Sequence, residues 1–502
     1  MTGIAAQTIR GEAAGSDRQR WIALLVLCTG FLMIILDQTI VNVALPSIQS
    51  DLGFSQSSLA WVVNAYLIAF GGLLLLAGRI GDLIGRKRIF MVGLAVFTTA
   101  SLLCGVAQSQ ALLIGARFVQ GIGGAMTSAV ILGMIVTLFP KQGEQARAIG
   151  VYSFVAAAGA SIGLLAGGVL TQAINWHWIF FVNLPIGIAT AVLASRLLER
   201  DEGIGLENGA DVLGALLIVG ALMLGVYTIV EASHYGWSST HTLGLGVVSL
   251  LLLASFVARE ARTGTPLVPL RIFRVRTVSG ANAVQALMVG GLFGMFFLGA
   301  LYLQRVLGYG AIEVGLAFLP VALVIGAFSL SFSARLITRF GAKATLLPGL
   351  VLVGAGLAIF QRAPVDATYL TDVFPAMLLL GIGAGLSFPS LMTLAMSGAT
   401  ASDSGLASGL VNTTQQVGGA LGLAVLATFS TRRTDGLLAS GDSHASALTG
   451  GYHLAFAISA GLVIAAIVLA ATVLQPRRPA AEEVPVETGF AEAEPVYLEE
   501  AA

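Results

Sequence analysis

Charge is scarce in this chain. Asp, Glu, Lys and Arg make up 10% of its 502 residues, against about 25% in an ordinary soluble domain. So few charges exclude a water-soluble globular fold. Cysteine is nearly absent as well. Cys28 and Cys104 are the only two, each inside an apolar run, so packed thiols are expected and a disulfide framework is excluded. No phosphate-cradling GxxxxGK loop followed by Ser or Thr occurs, which argues against ATP-driven work. His177, His234, His241, His444 and His453 fall in loops or at span ends without metal-ligand spacing, so no metal is expected. No organic cofactor and no nucleic-acid partner is expected either. Hydrophilic stretches are short, which disfavours a membrane sensor or scaffold with large soluble parts. The polar segment 1–20 leads straight into a full-length apolar run, so a cleavable signal peptide is not expected.

What the chain has in abundance is apolar sequence, 56% of residues with a mean hydropathy of +0.89. Runs near 20 residues, long enough to cross a bilayer, recur from Trp21 almost to the end. Fourteen spans are expected: 21–45, 59–79, 88–107, 111–138, 147–171, 178–196, 211–231, 241–260, 277–304, 312–334, 343–361, 371–395, 404–429 and 452–475. An even number puts both termini on one side. Of the 26 Lys and Arg, 21 fall on that side; Arg305, Arg362, Arg432 and Arg433 fall on the other, and Arg117 lies within a span. Basic residues stay in the cytoplasm, so both termini are expected there.

A short internal repeat organises these spans. Gly78–Lys87, GRIGDLIGRK, aligns without gaps on Ala334–Lys343, ARLITRFGAK, matching Arg79 with Arg335, Gly85 with Gly341 and Lys87 with Lys343. Each segment follows the second span of its half. The expected plan is therefore a cytoplasmic segment 1–20, a six-helix bundle at 21–196, a linker with two extra spans at 197–276, a second six-helix bundle at 277–475 and a disordered cytoplasmic tail at 476–502.

Three sets of residues stand out. The loop Gly78–Arg88 carries Arg79, Asp82, Arg86, Lys87 and Arg88 together with Gly78, Gly81 and Gly85. By itself it reads as a topology-setting loop whose glycines permit tight turning. Asp37 in span 1 and Arg117 in span 4 are costly inside a bilayer. At 1.5 Å per residue they lie about 13 and about 10 Å inward from the same side, so they can pair. Such a pair is either a static lock or a proton exchanger, because burial and a neighbouring guanidinium push a carboxylate's proton affinity in opposite directions. Gly159, Gly163 and Gly167, with Gly168 adjoining, leave one helix face bare for close approach of another helix, a common packing device. Asn42, Asn64, Tyr66, Asn282, Gln285, Asn412, Gln415 and Gln416 are polar within spans. Each reads as an interhelical hydrogen-bond partner or as part of a cavity lining. The acceptor pattern Asn412–Thr413–Thr414 lies within a span and is dismissed as a glycosylation site.

Taken together, from about residue 21 to 475, these segments resemble the major facilitator superfamily in its fourteen-span drug:proton antiporter branch. GRIGDLIGRKR at Gly78–Arg88 is similar to the family's loop between spans 2 and 3, where Asp82 and Arg86 would form a charge lock. LDQTIVNVALP at Leu36–Pro46 resembles the span 1 motif, and RFVQG at Arg117–Gly121 the span 4 motif whose Arg is associated with proton coupling. Gly159–Gly168 resembles the span 5 antiporter motif, with Leu164 where the family usually has Pro. His177 and Gln415 stand where relatives often carry Arg.

The resemblance implies an all-α polytopic protein of two six-helix bundles plus two inserted spans, in a bacterial cytoplasmic membrane. It implies no enzyme activity and no cofactor, with the proton gradient as driving force. Asp37 and Arg117 would couple protons, and Gly78, Asp82, Gly85, Arg86, Lys87 and Arg88 would bias the conformation. Small amphipathic, often cationic drugs or antibiotics are the implied cargo, carried by a monomer. The alternatives are a dedicated exporter of one endogenous compound (an antibiotic, lipid or siderophore) and, more remotely, a transport-inactive sensor or scaffold.

Overall fold

The computed structural model describes residues 2–140, 142–199, 201–203, 205, 207, 209–396 and 404–474. The expected tail 476–502 and the basic residues Lys141, Arg200, Arg477 and Arg478 lie outside the described residues. The described secondary structure is all helical.

In the first half the helices are α1 (Thr2–Leu52), α2 (Gln56–Leu59), α3 (Trp61–Ile84), α4 (Arg86–Gly105), α5 (Gln110–Leu138), α6 (Gln142–Ala173), α7 (Trp178–Phe181) and α8 (Asn183–Leu197). A hairpin of α9 (Val212–Tyr235) and α10 (Thr240–Glu260) follows. The second half comprises α11 (Arg276–Arg305), α12 (Ala311–Ala327), α13 (Ala334–Phe340), α14 (Ala342–Phe360), α15 (Phe374–Met396), α16 (Ser404–Ala439) and α17 (His444–Val473). A π-helical turn at Phe328–Ser333 joins α12 to α13 in one continuous span.

Twelve of these segments are long and apolar enough to cross a membrane. Two of the fourteen expected spans fall outside that set, for different reasons. In α6 the apolar stretch found among the described residues is only Ala158–Ala173. In α16 the run Asn412–Thr413–Thr414–Gln415–Gln416 dilutes the hydrophobicity of an otherwise long helix. Span 1 also runs further than expected, because α1 continues through Pro46 to Leu52.

Local chemistry explains where helices start and stop. Ser109, Ser239 and Ser443 cap α5, α10 and α17 by accepting hydrogen bonds from Leu112 N, Thr242 N and Ser446 N, relieving amides that have no partner within the helix. Gly85 separates α3 from α4 at φ +105°, and Gly341 separates α13 from α14 at φ +88°. Only glycine adopts such angles without strain. The aligned glycines of the internal repeat thus make the same turn at the same junction.

One apolar core runs through both halves. Within the first half α1 packs on α6 and α8, and α5 packs on α3 and α4; within the second, α11 packs on α16 and α17, and α14 on α15 and α17. The halves meet where α6 lies on α12 and α3 lies on α16. Several of these contacts gather at the end of the bundle that carries Gly53, opposite the Gly85 junction. There Gln304 Nε2 donates to Val43 O at 2.9 Å, Gln56 Nε2 to Ser430 Oγ at 3.2 Å and Ile312 N to Gln172 Oε1 at 3.1 Å. The α9–α10 hairpin lies outside both halves, with α9 against α3 and α16. Leu243, Val247, Leu250, Leu251 and Val257 on α10 remain exposed, as a lipid-facing helix requires.

Candidate functional site

Asp37 of α1 and Arg117 of α5 form an ion pair in the first half, with Arg117 Nη1 donating to Asp37 Oδ2 at 2.6 Å. Asp37 is 0% and Arg117 1% exposed. A buried charge pair is tolerable only if its remaining lone pairs and N–H groups find partners, and here both carboxylate oxygens and the Nε and Nη1 groups of Arg117 have them. Gln120, one turn beyond Arg117 on the same face of α5, donates from Nε2 to Asp37 Oδ1 at 2.7 Å and to Ser101 Oγ at 2.6 Å. Its Oε1 accepts from Arg117 Nη1 at 2.7 Å and from the Cys104 thiol at 3.6 Å. Asn183, the first residue of α8, donates from Nδ2 to Asp37 Oδ1 at 3.1 Å and to Ser101 Oγ at 3.2 Å. Arg117 Nε reaches Val62 O at 2.9 Å, and the guanidinium lies 4.4 Å from the Tyr66 ring centre, a cation–π contact strengthened by burial. Residues of five helices, α1, α3, α4, α5 and α8, therefore meet around this ion pair.

Gln120, Ser101 and Asn183 were not among the expected site residues. The spacing of Gln120 three residues after Arg117 was a usable signal. Asn183 carried a weaker one, as a polar residue within span 178–196. Tyr66, expected as cavity lining, stacks on Arg117 and meets Gln38 Nε2 at 3.5 Å through its hydroxyl.

The glycine stripe on α6 packs beside this centre. A Cβ on Gly163 would stand 2.0 Å from Thr39 Oγ1, and one on Gly167 2.6 Å from Ile40 O, while Gly159 faces Leu32 and Ile35. Those three face α1 on the turns that bear Asp37. Gly168 faces the other half: a Cβ there would stand 2.7 Å from Ala311 O of α12. Leu164 is buried, and its carbonyl lies close to Gly315 of α12.

In the α3–α4 loop, Asp82 Oδ1 accepts from Arg86 Nη2 at 2.9 Å, and Arg86 Nη1 also donates to Gly133 O at 3.1 Å and Thr137 Oγ1 at 3.2 Å on α5. Both Asp82 and Arg86 are partly exposed, so the pair itself contributes little to stability. The linker after α8 adds a contact that sequence reading missed: the Asp201 carboxylate accepts from Arg86 N at 2.6 Å and Lys87 N at 3.0 Å, capping α4. Gly78 lies near Ala129, and Arg88 is exposed.

The polar residues expected to line a cavity are spread over four helices. Gln285 of α11 meets Gln415 of α16 at 3.5 Å, and Gln416 packs on Gly71 of α3. Asn42 donates to Gln38 O and Asn282 to Val278 O, each within its own helix. Both amide atoms of Asn64 and the Oδ1 of Asn282 are buried without a partner. Asn412 is half-buried. Among the described residues no side-chain hydrogen bond links any of these asparagines to the Asp37 centre.

The sequence pattern of the Major Facilitator Superfamily matches residues 27–423. The chain belongs to this superfamily. It is a multi-pass membrane protein and a secondary transporter of small molecules, not an enzyme. Among its superfamily relatives, the puromycin resistance protein of Streptomyces alboniger is 41% identical over 475 residues, covering 93% of this chain and 94% of that protein. The cephamycin export protein of Amycolatopsis lactamdurans is 37% identical over 463 residues, covering 91% and 92%. The major facilitator fold is shared with a bacterial homologue of the human lysosomal transporter Spinster, solved in an inward-facing, unoccupied conformation: TM-score 0.66, 18% identity, covering 92% of this chain and 99% of that one.

Proposed function

We propose that this transporter is a proton-coupled antiporter exporting amphipathic, often cationic drugs or antibiotics across a bacterial cytoplasmic membrane. The observation that carries this reading is the fully buried Asp37–Arg117 pair with its shell of Gln120, Ser101 and Asn183. Intramembrane charges of this kind mark ion and proton pathways. Protonation of Asp37 removes the counter-charge of Arg117 and leaves the guanidinium buried and unpaired, a state that favours rearrangement of α1 against α5. The proton enters from outside with the Gly53 end open and leaves inside, where cargo loads. One charge moved through 100 mV supplies about 2.3 kcal/mol. No cofactor takes part. Asp82 and Arg86 bias the conformational balance without touching cargo, and Asn42, Asn64, Tyr66, Asn282, Gln285, Asn412 and Gln416 contribute to the surfaces cargo meets.

In this reading α6 and α16 also cross the bilayer, giving fourteen spans. The halves 21–196 and 277–475 are the two moving bundles, 197–276 supplies the inserted pair, and the protein works as a monomer. The matched glycine turns at Gly85 and Gly341 support the division. The predominance of Lys and Arg on the Gly85 side, 21 of 26, supports cytoplasmic termini. The gathered contacts at the Gly53 end then correspond to closure on the outer side.

A second reading is a dedicated exporter of one compound. The relatives favour it, since the names of two of them refer to single antibiotics, puromycin and cephamycin.

Inside-out vesicles with an acid interior and a pH-sensitive dye test both readings. Lipophilic cations and antibiotics that collapse the gradient in wild type but not in Asp37→Asn support antiport. Response to a single compound supports the dedicated exporter. Full efflux by a folded Asp37→Asn protein overturns coupling at this residue.

A further inference from the structure

A second charged cluster lies away from Asp37, where the α9–α10 hairpin meets the Gly85 end. Asp211 caps α9 and Glu260 is the last residue of α10, and they are only 2% and 4% exposed. Each carboxyl group has one oxygen satisfied. Asp211 Oδ1 accepts from Gly214 N at 2.8 Å and Arg259 Nε at 2.6 Å, and Glu260 Oε2 accepts from Val268 N at 2.9 Å. The other oxygens, Asp211 Oδ2 and Glu260 Oε1, are buried and have no hydrogen-bond partner. They converge on one point: a Cβ on Gly214 would stand 2.5 Å from the first and 3.0 Å from the second. Glycine at this position keeps the space between the two carboxyl groups clear.

Among the described residues no basic side chain donates a hydrogen bond to either bare oxygen. Arg259, on the same hairpin, faces Asp211. From α3, Arg79 Nε donates to Gly209 O, and Leu73, Leu76 and Ile80 pack against Ala215 and Leu267. Arg262, on the strap that follows α10, is exposed. Two ionised carboxylates with bare oxygens aimed at one dry spot repel each other, and each bare oxygen forgoes its hydration.

We propose that Asp211 and Glu260 hold one proton between them, the acid hydroxyl of one donating to the free oxygen of the other. This is a proton-binding site separate from the Asp37 centre and independent of the transport mechanism. A metal ion fits the site less well. Among the described residues no cluster of three or more Asp, Glu, His or Cys side chains occurs, and hard cations take six or more oxygens. The proton comes from water at the Gly85 end. Its presence seats the base of the hairpin, because Glu260 holds the strap at Val268 and Asp211 holds the first turn of α9, which packs on both α3 and α16.

The test compares full-length wild type with Glu260→Gln and Asp211→Asn in detergent and choline buffer, by infrared difference spectroscopy and thermal unfolding. A carboxylic-acid carbonyl band at neutral pH, present in wild type and lost in both variants, is the expected result. The wild-type Tm should fall with rising pH as the shared proton leaves. The Glu260→Gln protein should lose this component, since its amide supplies a permanent N–H to Asp211 Oδ2. If Glu260→Gln does not fold, Asp211→Asn, whose Oδ1 still caps α9, reads the same difference. Absence of any such band overturns the proposal. A Tm that responds to sodium in place of choline, in wild type only, overturns it in favour of a bridging alkali ion.

Discussion

Lys87 and Lys343 make the same contact in the two halves of the protein. Lys87 Nζ donates to Ser195 O at 3.0 Å and also to Leu198 O, closing the C-terminus of α8. Lys343 Nζ donates to Ala471 O at 2.8 Å and also to Leu474 O, closing the C-terminus of α17. Each lysine sits two residues after a positive-φ glycine and ties α4 to α8 or α14 to α17, neutralising carbonyls at the negative end of a helix dipole.

Loss of either lysine should therefore cost about 0.5–2 kcal/mol. Lys87→Ala and Lys343→Ala should add in the double variant, because the two contacts share no partner. Thermal unfolding of the purified proteins measures this. A double variant no worse than either single one would mean that the contacts are not independent.

Arg117→Gln should be the more damaging of two simple changes at the buried pair. It leaves Asp37 charged and uncompensated, which costs about 3–5 kcal/mol. Asp37→Asn combined with Arg117→Gln should recover part of that loss, because neither charge then remains. A double variant as unstable as the sum of its parts, measured by chemical unfolding, would argue against direct pairing.

Asn183→Ala should destabilise the protein by about 1–3 kcal/mol, although no expectation from sequence singled it out. It removes one of the two side-chain donors to Asp37 Oδ1, leaving Gln120 alone there. Asn183→Asp should be worse at neutral pH than at acid pH, since it sets a second carboxylate against the first. Equal stability of Asn183→Asp across that range would contradict the geometry.

Gly168→Val and Gly163→Val should differ in kind. At Gly168 the added side chain meets Ala311 of α12, so it pries the halves apart at the Gly53 end. At Gly163 it meets Thr39 and the Leu36 carbonyl within the first half, so it disturbs folding instead. Spin labels at Gln172→Cys and Glu313→Cys should report a longer distance in Gly168→Val. An unchanged distance in folded Gly168→Val would show that α6 and α12 do not depend on close approach there.

Asp201→Ala should free the linker from the α3–α4 junction and cost about 1 kcal/mol as a lost helix cap. Limited proteolysis should then cut faster between α8 and α9. Cutting at the wild-type rate would show that the cap does not hold the linker.

Much of the fold was legible because a bilayer permits few alternatives. A long apolar run must become a helix when no water is present to satisfy its backbone. The runs at 21–45 and 111–138 announced α1 and α5, and Gly85 and Gly341 announced their turns through the repeat. The end of α1 was not legible, since proline within a membrane helix need not end it and α1 runs through Pro46 to Leu52. The polar run Asn412–Gln416 made α16 less apolar than a typical span. Asp37 and Arg117 were legible because charge in an apolar run is rare. Asn183 and Ser101 were not, because uncharged polar residues are common in membrane helices and nothing local says which of them face each other.

The sequence by itself determined that this is a helical membrane protein carrying a short repeated segment, with one acidic and one basic residue at matching depth. Those follow from hydrophobic transfer and chain geometry, which act along the chain. Tertiary structure decided that Asp37 is closed in by Gln120 and Asn183 as well as Arg117, and that Gly168 faces α12 while Gly163 faces α1. It also decided that Asp211 and Glu260 turn bare oxygens toward the same glycine. Each of these depends on which face a helix turns toward its neighbour, and rotation about a helix axis is set by packing between segments far apart in the chain.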